Sequence, residues 1–164
     1  KMGAEQILLL GDDRLYQKSS ALSEEDIPLI ENTVKDLHHA MMDFRKIYGV
    51  GRAIAAPQIG VFKRLIYMHI DEPKLFINPT MNPIGFDKIE VWDDCMCFPN
   101  LLVKVERYKQ IRLDYFDLDF NEKHIIFSDD LSELIQHEFD HLEGILAIQR
   151  AIDDKAFRWR NFTS

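Results

Sequence analysis

The strongest constraint on the fold of this sequence is a helical segment near its end, residues 128–145, that is apolar over much of its surface. Its apolar residues spread over more than one narrow stripe, which predicts a largely buried helix: Leu131, Leu134, Ile135 and Leu142. His137 and His141 lie about one helical turn apart, so both imidazoles project from one face. Because buried imidazoles need polar partners, the fold must bring polar groups to this helix.

The same segment matches a hydrolytic metal-binding pattern, HExxH, with Glu138 beside the two histidines. In such sites a carboxylate acts as the base for a water coordinated by the metal, and a third protein ligand completes the set. The segment VWDDCMCFP at 91–99 contains both cysteines of the chain, Cys95 and Cys97. The residues alone leave open which thiol is the ligand, and a small buried side chain is the alternative for either one.

Composition excludes several classes of protein. A net charge of -8 opposes general affinity for nucleic acid or anionic lipid, and 29% charged residues argue against a membrane span. Cysteines two apart do not favour a relaxed disulfide, and the N-terminal apolar run is too short for a signal peptide. We therefore expect a single domain over residues 1–164, located in the cytoplasm.

The coarse pattern indicates an α+β domain with a helix towards each end. An apolar stripe predicts a helix within 23–48 that Gly49 ends. Ser23 is one candidate for its cap, and Asp26 is the other because a start at Ser23 would place Pro28 inside the helix. The later helix has Ser128, Asp129 or Asp130 as its cap and Gly144 as its end. Between them the sequence predicts a loop at 49–60 and strands at 64–70, 75–79 and 102–119, with the last one alternating as in an antiparallel sheet.

Three stretches together resemble the peptide deformylase family: GRAIAAPQ at 51–58, DDCMC at 93–97 and QHEFDH at 136–141. The family pattern is GxGxAAxQ, then EGCxS, then QHExDH, and the resemblance extends over nearly the whole chain. It implies antiparallel sheets packed around a central buried HExxH helix. It also implies a metallohydrolase that removes the N-formyl group from N-formylmethionyl peptides of newly synthesised proteins.

The resemblance assigns roles to individual residues. It implies one divalent metal ion, Fe²⁺ in cells and Zn²⁺, Ni²⁺ or Co²⁺ in some preparations, with three ligands: Cys95, His137 and His141. Glu138 is the implied general base, and the implied oxyanion donors are the Gln58 side-chain amide and the Met96 backbone N–H. Substrate contacts are expected from Ala53, Ile54, Leu134 and Arg52. Formylated nascent chains are the expected partners of a monomer, with a dimer as the alternative.

Several residues depart from the family pattern. Ala53 replaces a glycine and narrows the space for the substrate backbone, and Asp94 replaces a glycine and adds a negative charge near the metal. Arg52 is expected to point to solvent, with recruitment of a carboxylate as the alternative. Asp93 replaces glutamate, and its expected salt-bridge partner is Arg107.

The departures keep two other functions open: hydrolysis of a different N-acyl substrate, and a metal-bearing peptide-binding module with impaired catalysis. The second hypothesis does not explain Glu138 and Gln58, since binding alone needs neither a base nor an oxyanion donor. A zincin-type endopeptidase is disfavoured, because no histidine follows Gly144 to serve as a third ligand.

The serine-to-cysteine departure at Cys97 generates a prediction, because it places a second oxidisable thiol beside the metal-site cysteine. We expect Cys97→Ser to lose activity more slowly than the parent protein in dilute hydrogen peroxide. The measurement is the inactivation rate of the two proteins side by side, and equal rates would dismiss the prediction.

Overall fold

The computed structural model describes residues 3–162 and builds this range from two long helices and eight strands. The helices are α1 (Ile27–Tyr48) and α2 (Asp129–Leu142). The strands are β1 (Ala53–Ala55), β2 (Leu65–His69), β3 (Pro73–Pro83), β4 (Lys88–Asp93), β5 (Leu101–Tyr108), β6 (Gln110–Phe116), β7 (Glu122–Ser128) and β8 (Phe157–Trp159). Short 3-10 helices cover Ala4–Gln6, Asp13–Tyr16, Glu24–Asp26, Ala56–Ile59 and Ala147–Arg150. The α+β prediction is confirmed.

The strands form two antiparallel sheets. The larger has the order β1-β2-β3-β6-β7, and the smaller has the order β4-β5-β8. β5 and β6 follow each other in the chain but belong to different sheets, so the chain crosses between the sheets at Lys109. β1 is an edge strand that pairs only with β2, which leaves its other side available for a further strand.

Helix α1 follows the predicted amphipathic pattern. Asp26 occupies the cap position, Pro28 lies in the first turn where its missing N–H costs nothing, and Gly49 ends the helix in a left-handed conformation. Its buried stripe faces the core: Ile30, Thr33, Leu37, Ala40, Met41 and Phe44. This helix closes one side of the domain core.

Helix α2 lies at the centre, because it packs against β1 of the larger sheet and β5 of the smaller one. Gln136 fixes it by pairing with the backbone of Tyr108, donating from Nε2 to the carbonyl oxygen at 2.8 Å and accepting at Oε1 from the N–H at 3.0 Å. Gly144 follows the helix with φ +73°, and a side chain there would collide with the Tyr16 carbonyl. The predicted central buried helix is therefore confirmed.

The structure corrects two of the predicted elements and adds three strands. The predicted loop 49–60 contains β1 and the 3-10 helix Ala56–Ile59, and the predicted strand 102–119 is divided into β5 and β6. The chain breaks at Lys109 because this residue's backbone bonds to Asp87 and Asp129 instead of continuing one ladder. β4, β7 and β8 had no counterpart in the sequence prediction. β7 and β8 are edge strands with little buried surface, so the alternation that marks a half-buried strand is weak there.

The helices described in residues 3–162 include none with the length and apolar content needed to cross a lipid bilayer.

The core of the larger sheet generates a stability prediction at Phe76. This side chain is fully buried and contacts Tyr115 edge-to-face at 4.8 Å and Phe127 at 6.0 Å between ring centroids. We expect Phe76→Ala to lower the free energy of unfolding by about 3–5 kcal/mol, because it leaves a cavity. Urea unfolding measures this loss. The matched control is Phe86→Ala, whose ring is 96% exposed and whose replacement should change stability by less than about 0.5 kcal/mol.

Candidate metal centre and active site

Two elements bring the three candidate ligands together. Cys95 lies in the loop that follows β4, while His137 and His141 project from one face of α2. The Cys95 Sγ lies 3.3 Å from His141 Nε2, which in turn lies 3.3 Å from His137 Nε2. All three side chains are buried, and their candidate ligand atoms lie within 4.8 Å of one another. The three residues form one cluster.

The spacing of these atoms fits a metal ion. Tetrahedral coordination with ordinary zinc bond lengths places two nitrogens about 3.3 Å apart and a nitrogen and a sulfur about 3.5 Å apart. The observed separations of 3.3 Å agree with both values. Two imidazoles and a thiolate suit zinc, iron, nickel and cobalt, so the ligand set fits a divalent transition metal without identifying which one.

Glu138 lies beside this cluster and has an unpaired carboxylate oxygen. Its side chain is buried on α2, and its Oε1 has no hydrogen-bond partner among the described residues. Burial, helped by the neighbouring Asp93 and opposed by His137, raises the pKa of this carboxyl to about 8. Such a group accepts a proton readily near neutral pH, as a general base must.

A buried ionic network holds His137 in place. Asp93 Oδ2 accepts from His137 Nδ1 at 3.0 Å and from Arg107 Nη2 at 2.8 Å. Arg107 also donates to Asp140 at 2.8 Å, and Asp140 binds Arg150 at 2.6 Å. The expected Asp93–Arg107 pair is therefore present, and it belongs to a larger network.

This network sets the orientation of the imidazole. Because Nδ1 of His137 faces Asp93, Nε2 is directed at the other two ligands. Burial opposes the charged ring, but Asp93 outweighs burial and raises the pKa of His137. The ring must lose a proton to bind a metal, so binding is coupled to proton release. Burial and the neighbouring His137 lower the pKa of His141.

The implied oxyanion donors lie beside the cysteine. Gln58 accepts from the Ala55 N–H through Oε1 at 2.8 Å, which turns its Nε2 donor towards Cys97 Sγ at 3.6 Å and Cys95 Sγ at 3.8 Å. Met96 follows the cysteine and lines the same cavity as Gln58. The structure thus brings both residues next to the metal cluster.

One cavity joins the cluster to the expected substrate residues. Arg52, Ala53 and Leu134 line it together with His137 and Glu138. Ile54 is placed differently: its side chain is fully buried in the core and does not line this cavity. β1 alternates its faces, so Ala53 and Ile54 point to opposite sides of the strand, and the expectation of a substrate pocket containing Ile54 is not supported.

Two departures from the family pattern have partners in the structure. Arg52 does not simply extend into solvent, because it pairs with Asp130 at 3.1 Å and Glu133 at 3.5 Å. Asp94 pairs with Arg160 at 2.8 Å, so its charge is balanced. Arg160 also donates to the Pro99 carbonyl oxygen at 2.9 Å, which ties the C-terminal segment to the loop that carries Cys95.

Sequence reasoning missed three residues of this site: Asp140, Arg150 and Glu133. Asp140 stands within QHEFDH, and a carboxylate between two buried histidines was a signal that its charge would need a partner. Glu133 lies four residues before His137, and helical spacing places it on the same face. Arg150 had no comparable signal, because it follows α2 in a separate turn.

The fold and the site define a class of protein: a metal-dependent hydrolase with a cysteine and two histidines as ligands and a glutamate beside them. The polypeptide deformylase family model matches residues 4–157. The chain belongs to this family, whose enzymes remove the formyl group from formylated nascent peptides.

Relatives and solved structures agree with this assignment. A peptide deformylase of Pseudothermotoga lettingae is 34% identical over 94% of this chain and 86% of its own. Peptide deformylase 1 of Prochlorococcus marinus is 30% identical over 95% and 85%. The crystal structure of a Synechococcus elongatus peptide deformylase in complex with actinonin superposes with a TM-score of 0.82 at 27% identity, covering 90% of this chain and 79% of that one. The Thermotoga maritima enzyme gives 0.80 at 27% identity, with coverage of 90% and 97%.

The buried network generates a prediction at Arg107, whose side chain is 3% exposed. Arg107→Met leaves the Asp93 and Asp140 carboxylates without their shared cation, and we expect a loss of about 3–5 kcal/mol in the free energy of unfolding. The control is Arg112→Met, which removes an exposed pair with Asp114 and should cost at most about 1 kcal/mol. Denaturant unfolding of both variants tests this, and equal losses would contradict the structural role of the network.

Proposed function

We propose that this chain removes the N-formyl group from N-formylmethionyl peptides of newly made proteins, with Glu138 as the general base. The observation that carries the proposal is the buried Glu138 carboxylate, which has an unpartnered oxygen beside the Cys95, His137 and His141 cluster. A purely structural carboxylate in such surroundings would be expected to have a hydrogen-bond donor.

In this proposal Cys95, His137 and His141 hold one divalent cation, which is Fe²⁺ in cells and can be Zn²⁺, Ni²⁺ or Co²⁺ in preparations. When bound, the ion supplies Lewis-acid chemistry and lowers the pKa of a coordinated water towards neutrality. The family resemblance supports iron, whereas the ligand set accepts all four metals. Metal analysis of protein purified without oxygen measures the identity.

Glu138 accepts the proton of the attacking water and then delivers it to the departing amine nitrogen. The Nε2 donor of Gln58 and the backbone N–H of Met96 stabilise the negative charge that develops on the formyl oxygen. The Gln58 amide is supported in this orientation because its oxygen is held by the Ala55 N–H at 2.8 Å. The products are formate and a free amino terminus.

The peptide binds as an additional strand along the free edge of β1, next to Ala53. This edge lies at the end of the larger sheet and borders the cavity. Leu134 and Arg52 contact the substrate from the cavity wall. The Ala53 methyl group occupies space that a glycine would leave to the substrate backbone, which narrows the fit.

We propose further that residues 1–164 act as one catalytic domain, as a monomer, in the cytoplasm where formylated chains are made. A second candidate function is hydrolysis of a different N-acyl substrate. The specific observation in its favour is the charged pair of Arg52 and Glu133 in the cavity wall.

The proposed chemistry predicts the behaviour of Glu138→Ala. Formate release from formyl-Met-Ala-Ser by metal-loaded protein should fall by about 10²–10⁴-fold, the range expected for loss of a general base. Metal content should remain stoichiometric, because Glu138 is not a ligand.

The matched control is His141→Ala, which should lose both metal and formate release because it removes a ligand. Formate release by Glu138→Ala at the parental rate would contradict the assigned role. Absence of release from parental protein that holds stoichiometric metal would contradict the proposed substrate.

A further inference from the structure

The chemistry of the substrate limits where its first side chain can lie. In an N-formylated amine, the nitrogen that carries the formyl group also carries the carbon that bears this side chain. A formyl group at the Cys95, His137 and His141 cluster therefore places the side chain in the adjoining cavity. Glu133 and Arg52 form part of the wall of that cavity.

Glu133 is a mostly buried carboxylate with weak compensation. Its side chain is 15% exposed, and its nearest cation is Arg52 Nη2 at 3.5 Å. It takes part in no hydrogen bond with the described residues 3–162. The buried carboxylates Asp93 and Asp140, in contrast, each bind Arg107 at 2.8 Å. Glu133 therefore has acceptor capacity that the protein itself leaves unused.

Arg52 does not make up this deficit, because it is shared. Its Nη1 lies closer to Asp130, at 3.1 Å, than its Nη2 lies to Glu133, and its side chain is 40% exposed. Asp130 lies outside the cavity, so Arg52 divides its charge between Glu133 and a second carboxylate, and part of the negative charge of Glu133 stays in excess. Burial, together with the neighbouring Asp93, raises the pKa of Glu133 to about 7, which reflects the poor stabilisation of the charged form.

The side chain that fills the cavity determines whether Glu133 loses or gains hydrogen bonds on binding. A thioether side chain would displace water from Glu133 and give no hydrogen bond in return, which is unfavourable. An ammonium group would donate hydrogen bonds and balance the excess charge. The wall is therefore complementary to a cationic side chain.

We propose that Glu133 is a specificity-determining residue that extends the substrates of this enzyme from formylmethionyl peptides to N-formylated peptides whose first side chain ends in an ammonium group, as in lysine, and that selects this side chain over an uncharged one with a similar stem, as in norleucine. The inference rests on the proposed deformylation for its chemistry and specifies which substrates that reaction favours. Leu134 and Met96 line the same cavity and contact the apolar stem of such a side chain.

The experiment compares kcat/KM for formate release from formyl-Lys-Ala-Ser, formyl-Met-Ala-Ser and formyl-norleucyl-Ala-Ser. We expect the parental enzyme to favour the lysine peptide over the norleucine peptide, and Glu133→Gln to reduce this lysine-to-norleucine ratio by about ten- to a hundredfold, as for loss of a charge-assisted hydrogen bond. Glu133→Leu should favour the methionine peptide. Glu106→Gln, which changes an exposed carboxylate outside the cavity, should keep the parental ratio.

A binding measurement separates specificity from turnover. In the Glu138→Ala background the formylated peptides remain intact, and calorimetry gives the ratio of their dissociation constants with and without Glu133→Gln. If the ammonium group contacts Glu133 in the bound state, we expect Glu133→Gln to change this ratio of dissociation constants by about ten- to a hundredfold.

The outcomes distinguish this inference from the proposed function. Release from all peptides with a ratio that Glu133→Gln leaves unchanged overturns the inference and leaves deformylation standing. Release from none of them by metal-loaded enzyme contradicts deformylation, and calorimetry then decides the inference. A preference for lysine over norleucine that depends on Glu133 supports the inference, and the absence of such a preference overturns the inference.

Discussion

The site depends on the buried ionic network that connects Asp93, Arg107 and Asp140. Asp93 ends β4, Arg107 lies in β5 and Asp140 lies in α2, so this network joins the smaller sheet to the central helix. With Arg150 included, two carboxylates face two guanidinium groups, and the charges balance without a contribution from His137. The network therefore stays balanced when the imidazole gives up its proton to become a metal ligand, and Asp93 still fixes its tautomer. The same network therefore joins the smaller sheet to the central helix and orients a metal ligand.

The loop that carries Cys95 is held from a second direction by the C-terminal segment. Arg160 binds Asp94 and the Pro99 carbonyl, and its backbone N–H donates to the Asn100 carbonyl at 2.8 Å. A negative charge at position 94 is thus tolerated beside the metal site because its counter-charge comes from the segment after β8. The placement of one ligand consequently depends on residues more than sixty positions away in the chain.

Much of the site could be predicted from the sequence because its signals are local. The HExxH spacing and the three motifs indicated the cysteine, the histidines and Glu138, and the structure brings the cysteine and the histidines together as one cluster with Glu138 in the adjoining cavity wall. The helix bounds followed from Asp26, Pro28 and Gly49.

In contrast, the division of 102–119 between two sheets depends on pairing with distant strands, which alternation alone cannot reveal. Ile54 lies in the core and does not line the cavity, because neighbouring residues of a strand point to opposite faces and the sequence does not show which face meets the cavity. The pairing of Arg52 with Glu133 was missed because residues 52 and 133 become neighbours only when α2 packs on β1.

The way α2 is anchored also has a consequence for how this enzyme can diversify. Gln136 and Asp140 attach the helix to β5, and they lie on either side of His137. Asp130 and Glu133 lie one to two helical turns before His137, and their carboxylates form ion pairs with Arg52. Mutations in this earlier part can therefore alter what the cavity accepts without moving the ligands. The helix thus separates a part that positions the metal ligands from a part that shapes the cavity.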